Sequence, residues 1–152
     1  MDPLSITASV IALIQLTASI ARSCGRYAKS VSSAREDVAS LQSEIVQFAR
    51  TLEKLAELLA GPHAAKLVSS DIIAVDLDKC LLALTTLDKQ LDPGHPHKAM
   101  SKLGIRALKW PLQRTEVEGI KRDLDKHKAS LNLVLQVDQT YSSYSSSQGP
   151  TN

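Results

Sequence analysis

Aromatic side chains are almost missing: one Phe, one Trp and three Tyr occur in 152 residues, and glycine and proline number six each. Sheets draw on aromatic and β-branched residues and on frequent Gly/Pro turns, so this scarcity argues against a β fold. Charge of one sign is also lacking. A formal net charge of +2 and a pI near 8.6 are too mild to mark a nucleic-acid partner, and none is expected. Cysteine is limited to Cys24 and Cys80, both in apolar helical contexts. They read as two buried reduced thiols of a cytosolic protein, with a single disulfide as the alternative. Glycine-rich phosphate loops, nucleophile elbows and zinc-ligand spacings do not occur. The expectation is a non-enzymatic protein without catalytic residues, cofactor or metal site.

What the chain has is Leu, Ala, Ile and Val, in a composition 43% hydrophobic and 22% charged. That is one soluble domain long enough to bury a core, and its default is all-α. The opening MDPLSITASVIALIQLTASIAR carries no formal charge for the nineteen residues between Asp2 and Arg22. A secretory signal begins with positive charge, whereas here the flank is acidic and the first base follows the apolar run. At ~1.5 Å per residue the run reaches roughly 28 Å, close to a bilayer core. Ser5, Thr7, Ser9, Gln15, Thr17 and Ser19 interrupt it, making a poor constitutive span but a conceivable conditional one.

Asp2 and Pro3 form a good helix start. Ile6, Val10, Leu13, Ile20 and Tyr27 recur at steps of three, four and seven, with Leu4, Ile11 and Ile14 widening the stripe. Helix one is predicted from Pro3 to about Lys29. Arg22, Arg26 and Lys29 in its last turns suit the helix dipole and equally suit anionic lipid headgroups. A buried core helix is the plain alternative.

Val38, Leu41, Ile45, Phe48, Leu52, Leu55 and Leu59 predict a second helix, started by a Ser33/Glu36 capping box and ended by Gly61-Pro62. A third runs from Asp71, capped by Ser70, through Ile73, Leu77, Cys80, Leu84, Leu87 and Leu91 to Asp92-Pro93-Gly94. The fourth begins at a Thr115/Glu118 capping box and continues through Val117, Ile120, Leu124, Leu131 and Val134 to about Gln139. The prediction is a four-helix bundle over residues 1–139, with a short extra helix at 99–109 and a Ser-rich flexible tail or linker at 140–152.

Polar clusters have ordinary readings. Asp76 and Asp78 read as a solvated face, and Asp71, Asp88 and Asp92 as exposed turns. His95 and His97 lack further ligands and read as loop residues. His127 falls on the heptad phase of helix four and reads as a structural histidine. Lys98, Lys102, Arg106, Lys109 and Arg114 form an acid-free basic stretch around Trp110, read as surface charge with Trp110 packed as a lid.

Two stretches together carry a resemblance. MDPLSITASVIALIQL is similar to the start of fungal N-terminal domains found in front of NACHT or ankyrin modules in NOD-like receptors. LKWPLQRTEVEGIKRDLDKHKASLNLVLQ resembles that family's second hallmark, a Lys-Trp-Pro and then Leu-x-x-His-Lys-Ala-x-Leu, matched here by Trp110, Pro111, His127 and Lys128. The relatives include the azaphilone-cluster protein L N-terminal domain and HeLo-like domains. The resemblance implies a cytoplasmic signalling bundle, recruited to the plasma membrane when oligomerisation releases its first helix in cell death or non-self recognition. The candidate membrane-interacting residues are then Leu4, Ile6, Val10, Ile11, Leu13, Ile14, Leu16, Ile20, Arg22, Arg26 and Lys29. Unlike those relatives this helix has no glycine-rich zipper, its first glycine being Gly25. The implied partners are the protein itself, a receptor or adaptor engaged through helix packing, and an anionic membrane surface. A helical adaptor without membrane activity is the alternative.

Overall fold

A computed structural model describes residues 3–30, 34–61, 71–92 and 109–147. Among them there are four helices: α1 (Pro3–Ser30), α2 (Arg35–Leu59), α3 (Asp71–Leu91) and α4 (Arg114–Ser147), with no strand. The fold is an all-α bundle. Expectations for Asp2, Ser33, Pro62, Ser70, Pro93, Gly94, His95, His97 and most of the basic stretch, including the extra helix at 99–109, fall outside the described residues.

Helices α1 to α3 each bury a seam at alternating steps of three and four, and α4 buries one at steps of seven. In α1 it is Ile6, Val10, Leu13, Thr17, Ile20, Cys24 and Tyr27; in α2, Val38, Leu41, Ile45, Phe48, Leu52 and Leu55. Ile73, Leu77, Cys80, Leu84, Leu87 and Leu91 line α3, and Val117, Leu124 and Leu131 line α4. This 3.5-residue repeat keeps one face of each helix on its neighbours along the seam. Thr17 keeps the phase because its hydroxyl donates to the Ile14 carbonyl at 2.7 Å, leaving no polar group unpaired.

Contacts along the seams fix the topology. Gln42 of α2 reaches Ala21 of α1, and only residues 31–34 join the two helices, so they run antiparallel. Tyr27 and Leu91, near the C-terminal ends of α1 and α3, are bonded, and these helices run parallel. Arg114 meets Glu36 and Asp37 while Lys128 meets Gln47, so α2 and α4 are parallel. Around the bundle the order is α3, α1, α2, α4, and α4 closes antiparallel on α3 through His127 and Asp76.

Several local expectations require correction. Ala34 is the N-cap of α2, without a side-chain cap. The first bond of α4 runs from Val117 N–H to the Gln113 carbonyl, so Thr115 lies inside the helix and the capping box does not form. Burial of Trp110 and Leu112 just upstream sets where the chain enters α4. That helix also passes Gln139 and takes in the Ser-rich residues 140–147. Serine is a moderate helix former, and the first breakers are Gly149 and Pro150. Ile11 is 49% exposed and belongs to the outer face, not the seam.

The packing predicts an asymmetric response to truncation. Leu52→Ala, at a fully buried seam position, should cost about 2–5 kcal/mol in urea unfolding, while Leu82→Ala, on the exposed face of α3, should stay within about 0.5 kcal/mol of the parent. Equal losses at both sites would contradict the seam assignment.

Candidate functional site

Helix α1 is the candidate site. Its uncharged residues are divided between two environments. Ile6, Val10, Leu13 and Ile20 are buried, and Ile14 and Leu16 are half-buried. Ser5, Ala8, Ile11, Gln15 and Ala18 form an exposed outer face, followed by exposed Arg22, Arg26 and Lys29. Leu4 belongs to the helix, but its side chain is outside the described residues. By length and composition α1 is able to cross a membrane, a criterion that core helices of soluble proteins also meet.

Polar contacts also fasten α1 to its neighbours. Ser19 Oγ donates to Asp88 Oδ1 of α3 at 2.7 Å. Gln42 Nε2 of α2 donates to the Ala21 carbonyl at 3.1 Å. Tyr27 OH donates to the Leu91 carbonyl at 3.1 Å. Asp88 is therefore no exposed turn residue but a half-buried acceptor between two helices. Burial, the Asp92 carboxylate and Cys24 all raise the Tyr27 phenol pKa, which keeps the hydroxyl protonated as a donor. A hydrogen bond to a charged acceptor contributes about 1.5–3 kcal/mol, and the Ser19–Asp88 bond contributes less because it is only part-buried.

The second hallmark stretch turns out to be a set of fasteners. Trp110 is buried against Tyr27 edge-to-face, with ring centroids 5.1 Å apart and planes at 81°, so it covers the bundle end where α1 finishes. Pro111 beside it is exposed. His127 and Lys128, adjacent on α4, face different neighbours: His127 Nδ1 lies 2.7 Å from Asp76 Oδ1 of α3, and Lys128 Nζ donates to Gln47 Oε1 of α2 at 3.1 Å. Lys128 also lies 4.0 Å from Glu44 and 3.6 Å from Asp125. Burial raises the Glu44 carboxyl pKa and the nearby Asp125 raises it further, while Lys128 and Lys121 pull it down. Asp76 is thus part of a helix–helix contact and not a solvated face, because His127 covers it; Asp78 remains exposed.

A family model described as pigment biosynthesis cluster protein PigL N-terminal matches residues 1–147. The chain belongs to that family. Its matched span reaches the end of α4, so the helix extension past Gln139 lies within the family's domain. Neither the curated proteins nor the solved structures contain a match.

Sequence reasoning missed the contacts between helices: Ser19 with Asp88, Gln42 with Ala21, and Asp76 with His127. Spacing along one helix carries no signal for a partner on another. The thiols are as expected, free and buried. Burial pushes Cys24 up to about 11, and burial aided by Asp76 pushes Cys80 up to about 12.

These thiols give a pH prediction. Between the ordinary value of 9.0 and the raised native values, the folded chain holds protons that the unfolded chain releases. The native state then binds more protons, and stability falls as pH rises through that window. Urea midpoints should decline on going above pH 9.0, and replacing both cysteines by alanine should remove part of the slope.

Proposed function

We propose that this domain is a non-enzymatic signalling module whose first helix is packed in the resting bundle and is released to a membrane after oligomerisation. One observation supports this above others. The outer face of α1, formed by Ser5, Ala8, Ile11, Gln15 and Ala18, is exposed yet carries no charge. A helix with only a packing role is free to place charges there, as α2 does with Glu36, Arg50, Glu53, Lys54 and Glu57. A helix that must later meet lipid on every side is not. Arg22, Arg26 and Lys29 then lie where an anionic headgroup layer would meet them.

Release has a cost that sets the mechanism. Uncovering Ile6, Val10, Leu13 and Ile20 costs roughly 1.5–3 kcal/mol each. The helix therefore stays in the bundle in water and leaves only when lipid replaces the apolar surroundings that it gives up. Oligomerisation adds to this by gathering several helices on one membrane patch. The protein acts from the cytoplasm on this reading, and its partners are further copies of itself or a receptor.

A second reading, a helical adaptor without membrane activity, is favoured by a different feature. Val75 and Leu82 stand 54% and 74% exposed, seven residues apart on one face of α3 with Asp78 and Lys79 between them, two apolar contacts that another helix could cover.

Dye leakage from anionic liposomes, with the domain fused to an inducible oligomeriser, separates the two. Leakage should appear only after the inducer is added. Gln15→Lys, at an exposed position, should leave folding within about 0.5 kcal/mol of the parent. It should also suppress leakage strongly, since a charge at the helix centre adds ~2.5–3.5 kcal/mol to insertion. Absence of leakage from the parent, or equal leakage from a folded Gln15→Lys, would leave the adaptor reading in its place.

A further inference from the structure

We propose that Asp76, Cys80 and His127 form a binding site for a divalent transition metal of the zinc class, joining α3 to α4. Asp76 and Cys80 are four residues apart, so both project from the same face of α3. His127 comes from the antiparallel neighbour. One ligand atom from each residue lies within 4.8 Å of the other two. A carboxylate oxygen, a thiol sulfur and an imidazole nitrogen are the three donor types that zinc combines.

Two further features of this site point to a ligand. Asp76 Oδ1 is bonded to His127 Nδ1 at 2.7 Å, but Asp76 Oδ2 is buried without a hydrogen-bond partner. A buried carboxylate oxygen left unpaired is costly, and a cation in reach of it removes that cost. A cavity of about 40 Å³ also opens beside the cluster, lined by Cys80, Leu84, Leu87, Ile120, Leu124 and His127. It has room for one water-sized molecule beside Cys80 and His127, so a donor carried in by the ion would have space to take a fourth position next to three protein ligands.

Binding requires modest local change. Donors at tetrahedral zinc sit roughly 3.3 Å apart, so the hydrogen-bonded Asp76–His127 pair must open by about half an ångström, or the carboxylate must turn Oδ2 onto the ion. The Cys80 S–H bond breaks as the metal–sulfur bond forms and its proton passes to buffer, while the proton between His127 Nδ1 and Asp76 Oδ1 is displaced to the other ring nitrogen. Binding as thiolate therefore releases a proton, and the affinity rises with pH. The site lies on a seam where α3 and α4 make far fewer close approaches than α1 and α2, and a shared ion would strengthen that closure.

Titration of the chelator-treated chain with Co²⁺, followed by Zn²⁺ displacement, tests the site. One equivalent of Co²⁺ should give a thiolate-to-cobalt charge-transfer band with the visible bands of tetrahedral coordination, and Zn²⁺ should abolish both. Cys80→Ser should lose the charge-transfer band and weaken zinc binding by roughly tenfold or more, whereas Cys24→Ser, at the other buried thiol, should retain it. His127→Gln keeps a donor for Asp76 and removes the ligand; it should fold, as read by circular dichroism, and bind the metal weakly. Three results would each overturn the proposal: no cobalt band in the parent, a band that survives in Cys80→Ser, or parental affinity in a folded His127→Gln.

Discussion

The bundle depends on the packing of α1 against α2. These two helices share the longest continuous seam, running from Ile6 to Tyr27 on one side and from Val38 to Leu55 on the other. Both repeat at alternating three and four, so their apolar faces stay opposed across an antiparallel hairpin. The other pairs build outward from it, α3 lying along α1 and α4 along α2. The polar bonds that cross between helices also concentrate on this frame. Ser19, Ala21 and Tyr27 of α1 and Gln47 of α2 all take part in one.

Closure between α3 and α4 is of a different kind. It has few close backbone approaches, and its most specific contact is polar, Asp76 with His127. A half-buried charged group is stabilising only where its partner is held in place, and the apolar residues around this pair, among them Leu84 and Leu124, provide that constraint. The consequence is a bundle with one side fastened by a long hydrophobic seam and the opposite side fastened by chemistry. His127 and Lys128 are adjacent in α4 yet hold different neighbours. One holds α3 and the other holds α2, so a single turn of α4 contacts both flanks.

The same accounting explains the dual character of α1. Its inner face obeys the rules of a core helix, down to Thr17 satisfying its own hydroxyl. Its outer face departs from those rules by remaining neutral as far as Ala21 while in contact with water. Packing alone gives no reason for that neutrality, and the proposed passage to a membrane would supply one. Leaving the bundle would mean abandoning a seam as apolar as lipid, which is why the membrane and not water is the alternative environment to consider.

The four described helices, the phase of each seam and the span of α3 were legible in the sequence because they are set by local periodicity, which acts within one segment. The buried thiols and the lid role of Trp110 were legible for the same reason: each sits in phase with, or next to, an apolar stripe. Helix ends were less so. The capping boxes at Ser33 and Thr115 are local motifs, but the entry into α4 is governed by burial of Trp110 and Leu112 against other helices, and Ser-rich residues 140–147 extend α4 where composition alone reads as a tail. Tertiary structure alone decided which charges are buried. Asp76 and Asp78 are two residues apart and equivalent in composition, yet His127, 51 positions from Asp76, covers one and leaves the other in water. Such pairings depend on how four helices are arranged around an axis, and no periodicity within a single helix encodes the residue that will face it.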